Sequence, residues 1–167
     1  RIWADEYEWR VVEAALNAEM PGVLVTIGDV RVHVARVAAR GGATRLPVVL
    51  LHGWPSSFVE MRDLAARLAG IGHDVYVPSL PGHGFSSIPR RVGFGADACG
   101  ALFVEVMQAL GVERYVVHGG DRGAFVASSM GALAPEALAG IHITLPGGIP
   151  GVGAERTADE DAWLTDT

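Results

Sequence analysis

The sequence predicts an α/β fold: a mostly parallel sheet with helices on both faces. Three observations carry that expectation. Short runs rich in Val and Ile alternate along the chain with stretches of helical period. The run Pro47-Val48-Val49-Leu50-Leu51 is apolar throughout, as a strand buried on both faces requires. The segment Val116-Val117-His118-Gly119-Gly120-Asp121-Arg122-Gly123-Ala124-Phe125 passes from a β-branched run through glycines and one acidic residue into an apolar helical stretch. That is the layout of a sharp strand-to-helix bend with an exposed tip.

Composition sets the limits. The 167 residues suffice for one domain with a sizeable core. Half are hydrophobic and 19% are charged, which fits a globular chain rather than a disordered one. A net charge of −6 argues against nucleic-acid binding. All 13 basic residues are arginine, a bias without functional content. Cys99 is the single cysteine, so no intrachain disulfide forms. It falls in a predicted helix as a small core residue, and a lone thiol suits a reducing compartment, so a cytoplasmic location is expected. No Cys, His or carboxylate spacing suits a metal, and no cofactor is implied. The apolar stretch 124–149 is broken by Pro135, Glu136, Pro146 and Gly147-Gly148, which excludes a membrane span. The chain opens on Arg1 rather than Met, so residues ahead of it are expected.

The elements follow in order. Residues 5–18 read as a helix with Trp9, Val12, Ala15 and Leu16 on one face, stopped by Pro21-Gly22. Residues 1–20 thus form a helical lead-in to a core over 21–150. Strands are expected at 23–27 and 30–37, joined by the hairpin signal Gly28-Asp29. Val30, Val32 and Val34 alternate with Arg31, His33 and Ala35, which suits an edge with one wet face. After the strand 47–51, Ser57 and Glu60 make a capping box for a helix to about residue 69, striped by Met61, Leu64 and Leu68. A short strand at 74–77 leads into a loop over 78–89 rich in Pro, Gly and Ser. A helix at 96–110 ends on Gly111, and the strand 113–118 precedes the bend. A helix at 122–133 stops before Pro135, and a last strand is expected at 139–144. Residues 151–167 change to a Gly-rich and then acidic composition, and Thr157 with Glu160 predicts a helix starting near Ala158. In a parallel sheet, ligands bind at the carboxyl ends of the strands. His52-Gly53-Trp54-Pro55, Pro81-Gly82-His83-Gly84, Asp121 and Pro146-Gly147 all follow strands and are expected on one rim.

Asp121 decides the chemistry. A carboxylate attacking an acyl carbon would give a high-energy anhydride. Displacement at a saturated carbon with a strained or good leaving group gives an ordinary alkyl ester that water can cleave. Epoxides and alkyl halides are such substrates. Aspartate at a helix start is also a common N-cap. Flanking glycines are not needed for a cap, however, and are needed for a tight bend with a closely packed helix.

Three ordered motifs now match a known family. They are His52-Gly53-Trp54-Pro55-Ser56-Ser57-Phe58-Val59-Glu60, Pro78-Ser79-Leu80-Pro81-Gly82-His83-Gly84-Phe85-Ser86 and Gly119-Gly120-Asp121-Arg122-Gly123. With the leading Trp9-Arg10 to Leu16-Asn17-Ala18, the chain resembles the α/β-hydrolase-fold epoxide hydrolases, microsomal-type branch, over nearly its whole length. The resemblance implies Asp121 as nucleophile and the backbone N–H groups of Trp54 and Arg122 as the oxyanion hole. It implies a cis Trp54–Pro55 bond, an epoxide and water as substrates, and no cofactor. Trp54, Pro55, Phe85 and Ile149 are candidates for an apolar substrate floor. The chain departs from the family at Arg122, where tryptophan is usual. The family's histidine base, its carboxylate partner and the lid tyrosines follow the strand at 141–144. The 167 residues are therefore expected to be the first part of the core plus the start of a lid at 151–167, able to form the ester and not to turn over. Among the histidines, His52 is expected to brace its loop and His118 to be structural, and His83 on the rim is the least bland. His33, His73 and His142 have no evident carboxylate partner. Two other readings stay open: a haloalkane or haloacid dehalogenase with the same nucleophile, and a non-catalytic hydrolase-like binding module.

Overall fold

The computed structural model describes residues 2–145 together with Thr157 and Ala158. Its strands are β1 (Gly22–Ile27), β2 (Val30–Val37), β3 (Val48–Leu51), β4 (Val75–Pro78), β5 (Tyr115–Gly119) and β6 (Leu138–Ile143). They form one six-stranded sheet in the order β1-β2-β4-β3-β5-β6. β3 pairs parallel with β4 and β5, and β5 pairs parallel with β6. The β1–β2 and β2–β4 pairs are antiparallel. The helices are α1 (Ile2–Asp5), α2 (Trp9–Glu19), α3 (Arg62–Gly70), α4 (Ala96–Ala109) and α5 (Arg122–Leu133).

Every residue of β3 is buried, because helices cover both faces of the sheet. Its side chains alternate between two cores. Val49 and Leu51 join Phe103, Val106 and Met107 of α4 and Val126, Ala127 and Met130 of α5. Val48 and Leu50 face Phe58, Met61 and Ala65 at the α3 side. Each fully buried Val or Leu contributes roughly 1.5–3 kcal/mol, so this central strand anchors the loops at its end.

Several expectations shift. The lead-in is two helices, not one over 5–18. α2 starts at Trp9, where the Glu8 carboxylate accepts from the Arg10 amide at 3.2 Å. Trp9 and Val12 are exposed, and only Ala15 and Leu16 of the expected face are half-buried. A bidentate ion pair, Arg62 to Glu19 at 2.6 and 2.7 Å, ties α2 to α3. β2 is not an edge. β1 takes that place, β4 pairs on the other side, and His33 and Ala35 are buried with the valines. Ser57 does open a helical segment, its hydroxyl accepting from Val59 N at 3.4 Å, but the first turn is a 3-10 turn over Phe58–Met61. In α3 the buried residues are Ala65 and Ala69, and Leu64 is exposed. The last strand begins and ends one residue before its expected bounds. Thr157 and Ala158 are exposed, and the rest of the segment 151–167 lies outside the described residues. No described helix is long and apolar enough to cross a membrane.

Tyr115 is 1% exposed on β5, and its hydroxyl has no hydrogen-bond partner. Burial pushes this phenol up to about 12. A buried, unpaired hydroxyl costs about 1–3 kcal/mol. Tyr115→Phe should therefore leave stability unchanged or raise it by up to ~1 kcal/mol, read as the urea midpoint.

Candidate active site

The loops after β3, β4 and β5 converge, as the parallel sheet requires. His52 links the first two. It is fully buried, its Nε2 accepts from the Leu80 amide at 3.0 Å, and its Nδ1 lies 2.9 Å from the Gly53 carbonyl. An accepting Nε2 makes Nδ1 the protonated nitrogen, so the ring is a neutral brace between loops. Its ring also meets that of His83 at 5.6 Å. A second buried network fixes the loop after β4. The Ser86 hydroxyl accepts from His33 N at 3.0 Å and donates to the Ser79 carbonyl at 2.8 Å, while Ser79 Oγ sits 2.9 Å from His33 Nδ1. His33, which had no argued role in the sequence, thus holds this loop.

Asp121 sits between β5 and α5 with φ 49° and ψ −124°, and it is the one positive-φ residue other than glycine among the described residues. Such a conformation is costly for a residue with a Cβ and clusters at functional sites. The surroundings enforce it. A Cβ on Gly119 would lie 2.1 Å from the Gly123 carbonyl oxygen, so only glycine lets the chain fold back this closely. Gly53 gives the same clearance to Asp121 itself, whose Cβ would lie 2.8 Å from an added Cβ.

The Asp121 side chain makes no hydrogen bond to its own helix, so it is not an N-cap. Its Oδ1 instead accepts from the Trp54 amide at 2.9 Å, across from the loop after β3. The Trp54–Pro55 bond is cis. The Trp54 amide first, and the nearby Arg122 amide second, hold the Asp121 carboxyl below its usual value. The Arg122 amide acts by proximity, since it falls outside hydrogen-bond geometry with that side chain. The carboxylate is exposed and ionised at neutral pH.

A cavity of about 330 Å³ opens beside this bend. Leu80, Phe94, Cys99, Phe125, Val126 and Arg122 lie on its wall, with His83. Burial pushes the Cys99 thiol up to about 12, so it stays neutral. Trp54, Pro55 and Phe85 do not line this cavity. Trp54 and Phe85 are 63% and 69% exposed, and Phe85 packs against the rings of His33 and Phe58. Ile149 and Pro146-Gly147 lie outside the described residues. The wall comes from three separated segments, so no local pattern announced Phe94 or Phe125. His118 and His142 are register partners on β5 and β6, their Nδ1 atoms 2.8 Å apart. Among the described residues no histidine is hydrogen-bonded to Asp121, and no group of three or more His, Cys, Asp or Glu could hold a metal.

Burial lowers the pKa of His33, His52 and His118. A histidine depressed in the folded state favours the neutral form, so unfolding takes up protons once the pH drops below the unfolded value of about 6.5. Stability should be complete above that value and fall as pH descends through the three folded values. Thermal melts between about pH 7.5 and pH 5 should show a falling Tm. A flat profile would mean that the three rings titrate alike in the folded and unfolded states.

Comparison with known proteins places this geometry. Residues 47–164 match the family model described as alpha/beta hydrolase fold, and residues 1–61 match that described as epoxide hydrolase N terminus. Juvenile hormone epoxide hydrolase 1 of Ctenocephalides felis is 33% identical over 149 residues, which is 84% of this chain and 32% of that protein. The crystal structure of juvenile hormone epoxide hydrolase from Bombyx mori superposes with a TM-score of 0.80 at 32% identity, covering 86% of this chain and 40% of that one. The Aspergillus niger epoxide hydrolase gives a TM-score of 0.75 at 30% identity, covering 96% and 44%. The chain spans about a third of the length of the curated relatives it matches. Sheet order, strained bend and matched segments agree: the chain belongs to the α/β hydrolase fold family, and its first 61 residues match the segment described as epoxide hydrolase N terminus.

Proposed function

We propose that the protein containing this chain opens epoxides to vicinal diols through an ester on Asp121. The observation that carries this reading is the exposed carboxylate on a positive-φ bend, with one oxygen held by an amide from a different loop. Oδ1 is occupied by the Trp54 N–H, which leaves Oδ2 to attack a ring carbon. The carbon–oxygen bond breaks toward the ring oxygen, which takes a proton from water or, in the full-length protein, from an acid outside these 167 residues, and an alkyl ester forms with Oδ1 as its carbonyl oxygen. Water then adds to Cγ, negative charge gathers on Oδ1, and collapse returns the carboxylate and releases the diol. The Trp54 amide already meets the oxygen where that charge grows, and the neighbouring Arg122 amide is the proposed second donor. Removing one such donor typically costs about a hundredfold or more in rate.

The water needs a base. No described histidine reaches Asp121, so we assign the base to sequence outside these 167 residues. The chain alone should then trap the ester. Trp54, Pro55 and Phe85 are proposed as apolar contacts for substrate carbons, and a cytoplasmic setting is proposed with them. Incubation with styrene oxide followed by peptide mass spectrometry tests the reading, with one epoxide expected on the peptide bearing Asp121. Because the carboxyl is depressed, adduct formation should persist down to about pH 4, near the ordinary aspartate value. Halide release from a haloalkane or haloacid with no adduct from the epoxide would move the protein to the dehalogenases. Absence of any adduct would leave a binding module.

A further inference from the structure

We infer that the cavity beside Asp121 is a subsite for a carboxylate, held by the side chain of Arg122, and that the preferred substrates are epoxides bearing an acid group close to the ring. This deepens the proposed function and rests on it.

Arg122 follows the nucleophile directly, and its side chain lines the 330 Å³ cavity. It is the one permanently charged side chain on a wall otherwise built from Leu80, Pro81, Phe94, Cys99, Phe125, Val126, two small residues and His83. The Cys99 thiol is pushed up to about 12 and contributes no compensating charge. Among the described residues the ion pairs within 4.0 Å join Arg10 to Glu13, Arg36 to Asp74 and Arg62 to Glu19, so Arg122 has no carboxylate partner at that range. Asp121 does not neutralise it either. That carboxylate turns to the Trp54 amide, and the guanidinium acts on it only through space, lowering it less than the Trp54 and Arg122 amides do. Arg122 is exposed, and it faces a largely apolar cavity with no carboxylate within 4.0 Å among the described residues.

The chemistry of the missing partner follows. A guanidinium presents a planar fork of donors that matches a carboxylate, and the match strengthens where apolar walls exclude water. A cavity of this size accommodates a small organic acid. Arg122 also stands at the start of α5, where the helix dipole adds to the attraction for an anion. The nucleophile is itself anionic, so a bare acid would be repelled from the bend. Arg122 offsets that repulsion and keeps the ring carbons of an epoxy acid in reach of Oδ2.

The test uses the full-length protein and two matched pairs, glycidate against glycidamide and phenylglycidate against phenylglycidamide. Within each pair only the charge changes. The acid should be favoured in kcat/KM by about tenfold or more, the scale of one good charge-assisted contact. In Arg122→Gln that ratio should collapse toward one, and in Arg122→Lys most of it should return. The ratio within each variant cancels any loss common to both substrates, including any disturbance of the Arg122 amide. A wild-type ratio near one, or a ratio unmoved by Arg122→Gln, would overturn the proposal. Failure of the parent reading is visible separately, as neither member of a pair giving an adduct or a diol. The subsite is then judged by calorimetric titration with hydrocinnamate. Saturable binding weakened about tenfold or more by Arg122→Gln supports it, and no binding, or equal binding in both, overturns it.

Discussion

Asp121→Asn should abolish the covalent adduct and lower diol formation by the full-length protein by at least about ten-thousandfold, the scale seen when a group acting in every turnover is removed. Asparagine keeps the shape and tolerates positive φ, so the folded structure should survive. A companion variant separates the nucleophile from a structural role. Asp121 holds φ 49° and ψ −124° and makes no bond to its own helix. Glycine adopts such angles without steric cost. Asp121→Gly should therefore unfold at the same temperature as the parent or above it while losing all adduct. A capping aspartate would behave in the opposite way, since loss of a cap destabilises the helix. An adduct retained in Asp121→Asn would remove the nucleophile from the proposed mechanism. A clearly lower Tm in Asp121→Gly would show that the carboxylate holds the bend together rather than straining it.

What the sequence made legible divides along physical lines. The uniformly apolar run at β3 and the Gly-Gly-Asp-Arg-Gly bend were readable because each is a local pattern with one geometric solution. α5 starts and stops where the glycines and Pro135 place it. His52 was readable as a brace because a buried ring in a rim loop must find partners, and it does. The failures are non-local. His33 looked like the wet face of an edge strand, yet the rings of Phe58 and Phe85 and the Ser79 hydroxyl come from distant segments to cover it. The break between α1 and α2 hangs on Glu8, a weak capping type with no sequence signature. The cavity is assembled from residues 80–83, 94–99 and 122–126, which only tertiary packing brings together. Arg122 was visible as a departure from the usual tryptophan, but its unpaired state on a cavity wall was not.

Gly123→Ala should be severely destabilising, against the rule for its setting. Within a helix, alanine is normally better than glycine by about 0.5–1 kcal/mol. Here an added Cβ would stand 2.3 Å from the Leu51 carbonyl oxygen and 2.9 Å from that of His52. Both atoms are backbone, and Leu51 is locked by its register with Gly119, so neither can give way as a flexible side chain would. The start of α5 must lift from the sheet, opening the packing of Ala124, Val126 and Ala127 that buries this end of the core. Overpacking of that kind costs about 3 kcal/mol or more, a drop in Tm of roughly 6–12 °C for a chain of this size. Gly70→Ala is the control. It lies in α3 with nothing within 4 Å of an added Cβ, and it should gain about 0.5–1 kcal/mol. The two glycines share a residue type and a helical setting, so opposite signs would isolate close approach as the cause. The loss at Gly123 should also reach the chemistry. Lifting α5 carries Asp121 away from the Trp54 amide, so adduct formation in any folded fraction of Gly123→Ala should slow as well. Full stability with full reactivity in that variant would mean that the bend is not as tightly seated on β3 as its geometry requires.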